Sequence, residues 1–175
     1  MPSGSIYILD GIKDSNPGIR ITALRAARAI HKDVIETITA LAHDTDPQVL
    51  KECAIALHHN KAPEATKLWT TLALNYKSGD RWLLEALGIG ADGQWNQFLN
   101  AYLQENKEPL LSAAGHDLIW RSRNDEALPS LAALAMDSTT ALKAGLRYFR
   151  AFDFHPGKNK TLLKCCQVPT NPTQI

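Results

Sequence analysis

A repeat of 30 to 31 residues runs through this chain and limits what it can fold into. Each repeat begins with a short polar residue of the kind that caps helices or closes turns. Three positions later comes proline or another residue suited to a first helical turn. The first set is Asp14, Asp44, Asn75, Asn106 and Asp137, and the second is Pro17, Pro47, Ser78, Pro109 and Thr140. Such a period is typical of proteins whose units bury a core only by stacking on their neighbours.

Two helices, A and then B, are predicted in each repeat, because apolar residues recur at the spacing of one helix face. The A helices carry two columns in register, Ala23, Cys53, Leu84, Gly115, Leu146 and Ala26, Ala56, Leu87, Leu118, Phe149, and the B helices carry Leu41, Leu72, Leu103 and Leu134. The predicted helices cover 17–31, 33–43, 47–59, 63–76, 80–90, 93–105, 108–121, 125–136, 139–153 and 158–167, with a capping helix over 5–13. No segment alternates with period two, so we expect an all-α fold.

Composition indicates one packed domain, which we place at residues 1–167, followed by a disordered Pro/Thr-rich linker tail over 168–175. The 175 residues are 45% hydrophobic, enough to bury a single core. No apolar run approaches the ~20 residues that span a bilayer, so we expect no membrane insertion by this chain. The sequence begins with no signal peptide, and its localisation is unknown from these residues alone.

The heads of two repeats share a motif. Residues 14–20 are Asp-Ser-Asn-Pro-Gly-Ile-Arg and residues 44–49 are Asp-Thr-Asp-Pro-Gln-Val, and an alanine-rich helix follows each. This pattern resembles the short variety of HEAT repeat. The resemblance implies a right-handed α-solenoid, a HEAT-like superhelix of about five antiparallel helix pairs with A and B helices on opposite faces. It implies an architecture and almost nothing about activity.

A narrower resemblance rests on residues 79–93, on Trp120-Arg121-Ser122-Arg123 and on residues 147–155. These segments resemble the HEAT-like region of large bacterial multidomain proteins that combine a membrane-bound dehydrogenase with a c-type haem-binding domain. The resemblance implies an exported, periplasmic or cell-envelope protein with a dehydrogenase-like β-propeller before this region and a cytochrome c domain after it. This chain has no propeller and no CxxCH motif, so only the position of a connector between those modules carries over, and the chain is interpreted as a fragment.

The third repeat and the last one depart from the pattern, and we predict a contact surface there. The predicted contact residues are Arg81, Trp82, Glu85, Asp92, Trp95, Arg121, Arg123, Arg147 and Arg150. We expect Trp82 to pack on Trp95. The period also aligns Glu85, His116 and Arg147 as a ladder, which either forms internal salt bridges or presents charge to a docking domain.

Glycines 88, 90 and 93 also mark the third repeat. They favour close helix approach or turns with positive φ, with a phosphate-binding loop as the sharper alternative. No strand precedes them and no GK(S/T) motif follows, which disfavours the phosphate loop.

Catalytic and metal-binding motifs are missing from the sequence. His58 and His59 are adjacent in a predicted helix and would point about 100° apart, so we expect no metal site there. His116 and Asp117 lie mid-helix without a nucleophile motif, and the three cysteines form no CxxC pair. We therefore expect no enzyme activity and no cofactor, and predict an interaction scaffold that binds flanking protein domains or another subunit.

Nucleic-acid binding is the alternative function. The net charge of +1 lacks the basic excess typical of such proteins. Acidic residues predominate on the predicted B helices and basic residues on the A helices. The expected concave B face would repel phosphates, so this alternative is disfavoured.

Overall fold

A computed structural model describes residues 5–30, 34–106, 108 and 110–155 of the chain. These residues form α1 (Ser5–Gly11), α2 (Pro17–Ala29), α3 (Val34–Leu41), α4 (Pro47–Ala56), α5 (Glu64–Leu74), α6 (Arg81–Gly90), α7 (Trp95–Glu105), α8 (Ala113–Arg121), α9 (Leu128–Met136) and α10 (Leu142–Ala151). Short 3₁₀ turns cover Asp125–Ala127 and Phe152–Phe154, and the described residues contain no strand. The all-α prediction is confirmed. Pro109, the predicted helix over 158–167 and the predicted tail lie outside the described residues.

In the first two repeats the opening polar residue closes a turn, and a second polar residue caps the helix. Asp44 Oδ1 accepts a hydrogen bond from the backbone N–H of Asp46, 2.8 Å away. Asp46 in turn accepts from the N–H groups of Gln48 and Val49 at the start of α4. Asp14 and Asn16 repeat this arrangement before α2. These bonds satisfy N–H groups that have no partner inside the helix, which explains why the helices begin at the predicted prolines.

Two predicted helical segments begin three or more residues later than the sequence predicts. We expected α8 to begin at residue 108 and α10 at residue 139, whereas they begin at Ala113 and Leu142. Ser112 is the true cap of α8, because its hydroxyl accepts from the N–H of Gly115. Before α10, Asp137 binds the backbone N–H and hydroxyl of Thr139 and so holds those residues in a turn.

The helices pack in pairs and in two rows. Each even-numbered helix from α2 to α10 contacts the next even-numbered one, and α3, α5 and α7 contact one another in the same order. α9 packs on α8 and α10, and α1 packs on α2. None of the described helices is long and apolar enough to cross a bilayer.

The core is divided at α8. One cluster of buried side chains extends from α1 to Leu118 of α8 and includes Trp69 and Phe98, while a smaller one joins Ile119 of α8 to α9 and α10 around Leu131. Trp120 packs against both.

The predicted A-helix columns are buried in the earlier repeats but not in the last one. Cys53 and Leu84 are buried, whereas Leu146 of the same column is exposed. In the second column Leu118 is buried and Phe149 is half exposed, so the expectation that Phe149 lies on a buried stripe is wrong. The reason is that the described residues contain no helix beyond α10 that could cover it.

The glycines of the third repeat allow a close helix contact. Gly90 lies in α6 so near to α4 that an added Cβ would stand 2.2 Å from the carbonyl oxygen of Ala54. Gly93 follows in a turn with a φ of 72°. Both predicted roles of these glycines are confirmed. The phosphate-loop alternative is wrong, because Gly88 and Gly90 lie within a helix rather than before one.

We expect Gly90→Ala to lower the free energy of unfolding by about 1–3 kcal/mol, since the added methyl group meets backbone atoms that cannot move aside. Gly88→Ala is the matched control. Its Cβ meets only the guanidinium end of Arg121, which is flexible, and alanine favours a helix over glycine by up to about 1 kcal/mol. Urea denaturation measures both variants, and equal losses of stability would contradict the close contact between α4 and α6.

Candidate functional site

The nine predicted contact residues lie in several places rather than in one cluster. Four of them lie on the even-numbered helices α6, α8 and α10, namely Arg81, Glu85, Arg121 and Arg147. Arg123 and Arg150 lie at the α10 end of the molecule, whereas Asp92 lies in the turn after α6. The even-numbered row therefore carries most of the predicted surface.

The expected contact between two tryptophans is wrong. Trp95 is buried and packs edge-on against Trp69, with 5.9 Å between the ring centroids. Trp82 is 71% exposed and borders a small groove beside Ile21 and Lys51. The two indoles are separated because Trp82 begins α6 while Trp95 follows its end.

A polar cleft of about 350 Å³ lies between α6, α8 and the start of the third repeat, and Asp117 is its centre. The buried Asp117 carboxylate accepts hydrogen bonds from the Tyr76 hydroxyl at 2.9 Å, the Ser78 hydroxyl at 2.6 Å and the Arg147 guanidinium at 2.9 Å. Burial and the neighbouring carboxylate raise the pKa of Tyr76 well above its ordinary value. With three donors bound to it, Asp117 acts as a structural anchor.

Ion pairs connect successive even-numbered helices. Arg20 binds Asp44 at 2.7 Å, Lys51 binds Asp80 at 3.4 Å, Arg121 binds Glu85 at 3.0 Å and Arg147 binds Asp117 at 2.9 Å. Burial acts to raise the pKa of the Asp44 carboxyl, but the bonds from Arg20 and from backbone N–H groups outweigh it and hold the pKa below its ordinary value. Each contact joins one repeat to the next.

The predicted ladder of Glu85, His116 and Arg147 is wrong, because His116 takes no part in it. His116 contacts the carbonyl oxygen of Leu110 and the edge of the Tyr148 ring instead of an ion. Glu85 and Arg147 form internal ion pairs on neighbouring helices, which was one of the two alternatives. A docking role therefore rests on the cations that have no such partner. Arg81 and Arg150 form no ion pair with another described residue.

The last helix presents an apolar surface that the sequence analysis missed. Leu142, Leu146 and Phe149 are exposed along one side of α10, and Phe154 is exposed beside them; we call these four residues the α10 face. The spacing i, i+4, i+7 in α10 could have indicated it, but the same spacing marks a buried stripe elsewhere. Whether such a stripe is buried or exposed depends on whether another helix packs against it.

A groove of about 980 Å³ runs along this end of the molecule. Arg150 and Lys143 border it, and Arg147 stands over the ring of Trp120 at 3.8 Å. Arg123 stands 4.5 Å from the centroid of Phe154. The alternation of arginine and aromatic residues in the sequence thus corresponds to guanidinium groups that stack on aromatic rings around the groove.

One cluster within the described residues could hold a metal ion, and it consists of His58, His59 and Asp92. The sequence predicts no metal site at the two histidines because it places both in a helix, whereas α4 ends at Ala56. Cys53 is no candidate ligand, since burial raises the pKa of its thiol to about 12. Cys165 and Cys166 lie outside the described residues.

A buried histidine lies beneath the exposed Phe154. The ring of His155 is 3.4 Å from an Asp125 carboxylate oxygen, and its Nε2 has no hydrogen-bond partner among the described residues. Burial lowers the pKa of His155, and Asp125 offsets this only in part. The neutral imidazole is therefore the form that the fold favours.

We expect the free energy of unfolding to fall as the pH drops from 7 to 5.5. The unfolded chain then takes up a proton at His155, near its ordinary pKa of about 6.5, before the folded chain does. The stability contribution is complete above that pH. Urea denaturation at several pH values should give a flatter dependence for His155→Gln than for the wild type. The exposed His43 supplies the control His43→Gln, and an unchanged slope in His155→Gln would contradict the assignment.

Comparison with known proteins adds no family to this description. No protein-family model, no curated protein and no solved structure matches the chain. The resemblance to the HEAT-like region of dehydrogenase and haem-binding proteins therefore rests on the sequence segments that suggested it.

Proposed function

We propose that the chain is a non-enzymatic protein-interaction scaffold that binds another protein domain through the α10 face. One observation carries this proposal. Leu84 and Leu87 in α6 are 4% and 0% exposed, whereas Leu146 and Phe149, which follow them by two repeats in the same columns, are 54% and 49% exposed. An apolar surface that the earlier repeats bury is available for a partner to cover.

The size and shape of this end of the molecule support a protein partner. Contiguous exposed apolar surface beside a groove is typical of interaction sites, whereas single exposed apolar residues are ordinary. Leu142, Leu146 and Phe149 project from three successive turns of one helix, so a second helix laid along them could contact all three. The groove of about 980 Å³ adjoins this surface at Leu146 and Phe154 and leaves room for side chains at one edge of such a helix.

Charge suggests the chemistry of the partner. Lys143 and Arg150 border the groove and form no ion pair with another described residue. These cations suit an amphipathic helix that carries carboxylates beside an apolar stripe. The apolar stripe would be buried against the α10 face, and the carboxylates would pair with the two cations. We propose that such a helix belongs to a flanking domain or to another subunit.

We further propose that the two helix rows form a right-handed α-solenoid of the HEAT type, with about five antiparallel helix pairs. The row of even-numbered helices and the ion pair between each successive two of them support this arrangement. Within it, α10 occupies one end of the stack. The proposed connector role between a dehydrogenase-like propeller and a cytochrome c domain places the binding surface where a neighbouring module would attach.

The reactive groups of the described residues support a role without catalysis. Asp117 is occupied by three donors, and the buried Cys53 is held in its thiol form by its raised pKa. The ion pairs along the even-numbered helices weigh against the nucleic-acid alternative, because Arg20, Lys51 and Arg121 are already neutralised. Phosphate binding requires cations that are free to replace counterions.

A display library of helical peptides tests the proposal on the complete chain. We expect the wild type to select peptides with an apolar stripe and flanking acidic residues. Leu146→Glu should weaken the binding of a selected peptide at least about tenfold, since burial of a leucine side chain contributes about 1.5–3 kcal/mol. Leu111→Glu is the matched control, because Leu111 is as exposed as the α10 face but precedes α8. Fluorescence anisotropy with the labelled peptide measures each affinity.

Three results would overturn the proposal. Equal affinity in Leu146→Glu and the wild type would place the peptide elsewhere. Peptide selection only by a chain that ends at His155 would show that residues 156–175 occupy the surface. Tight binding of a random DNA duplex at low salt, without selection of any peptide, would favour the nucleic-acid alternative.

A further inference from the structure

We propose that His58, His59 and Asp92 bind a divalent transition-metal ion between the turn after α4 and the turn after α6. The site is independent of the α10 face, which lies on a later repeat. A single ion there would join two successive repeats at the same end of neighbouring helices. Zn²⁺ is the probe that suits this set of nitrogen and oxygen donors.

The backbone after α4 makes the site possible. α4 ends at Ala56, so His58 and His59 lie in a turn and the angle of about 100° between helical neighbours does not apply to them. His59 has a φ of 59°, in the left-handed region that non-glycine residues enter uncommonly. With this turn the two imidazole rings lie side by side, with 3.7 Å between their centroids. Adjacent residues thus present both rings to the same place.

The donor atoms are close enough for one ion. One donor atom from each of the three residues lies within 4.8 Å of the other two, and His58 Nε2 is 3.6 Å from Asp92 Oδ2. Bonds of about 2.0–2.2 Å to a tetrahedral zinc ion place two ligand atoms about 3.3–3.6 Å apart. The His58–Asp92 separation fits this range, and the Asp92 side chain, 68% exposed, has room to rotate as the ion draws the three ligand atoms together.

The surroundings favour a cation. The carboxyl ends of α4 and α6 point toward these turns, and the helix dipole places partial negative charge at such ends. Arg123 is the cation that shares a neighbouring groove with Asp92. Its guanidinium is turned away, because it donates to the carbonyl groups of Arg121 and Ser122 and stacks on a phenylalanine ring.

Neither imidazole has competing bonds that an ion must displace. Among the described residues, no hydrogen bond fixes a ring nitrogen of His58 or His59, and the contact of His58 with Asp92 is too long for one. Three protein ligands leave the remaining coordination positions to water. The expected site is therefore open and of moderate affinity.

Isothermal titration of the complete, tag-free and metal-free chain with ZnCl₂ tests the site. We expect one ion per chain with micromolar affinity, weakened at least tenfold by His58→Gln, by His59→Asn or by Asp92→Asn. Asparagine tolerates the left-handed conformation, so His59→Asn keeps the turn. Zn²⁺ should also raise the melting temperature of the wild type, and this rise should be missing in Asp92→Asn.

Two control variants test whether the ion binds elsewhere in the chain. His43→Gln, at an exposed histidine in another turn, should bind Zn²⁺ like the wild type. The double variant Cys165→Ser/Cys166→Ser should also bind normally. Loss of binding in either variant, undiminished binding in the three site variants, or no heat of binding at 100-fold excess over the chain would each overturn the proposal.

Discussion

Every described helix of this protein depends on its neighbours, because none of these helices is long enough to persist alone. The longest described helix, α2, has 13 residues, and isolated helices of about 12–15 residues are marginal in water. Burial of the apolar columns against the next repeat supplies the missing stability. Leu84 and Leu118 are covered in this way, and Gly90 lets α4 and α6 approach closely enough to do it.

The same dependence explains the surface on which the proposed function rests. Where another helix covers it, a column of apolar residues stabilises the molecule. At the last described repeat the same column is exposed, and the proposed partner would cover it there. Leu146 and Phe149 continue a buried pattern into an exposed one, and two nearby arginines, Arg123 and Arg147, stack on aromatic rings. The packing of the repeats and the binding of the partner would then both rely on apolar contacts between neighbouring helices.

Polar contacts set the alignment of the repeats more than their stability. Ion pairs at a protein surface contribute about 0–1 kcal/mol each, but pairs such as Arg121 with Glu85 recur between successive even-numbered helices and fix how one lies on the next. Asp117 extends this to a network that joins α8, α10 and the turn before α6. At the other end of α6, the same alignment of α4 and α6 brings the turns that follow them together and places Asp92 beside His58.

The sequence by itself determined the helices, because its period and capping residues act over a few positions. It identified the prolines that begin α2 and α4, the buried columns of the earlier repeats and the two roles of the glycines. Only the tertiary structure decided which side chains meet across repeats: that Trp95 packs on Trp69 and not on Trp82, that Arg147 binds Asp117, and that His59 turns toward Asp92. The physical reason is that such contacts depend on where a helix ends and what lies beyond it. The predicted helix runs to residue 59 and α4 ends at Ala56, and this shift of three residues turns two divergent histidines into a convergent pair.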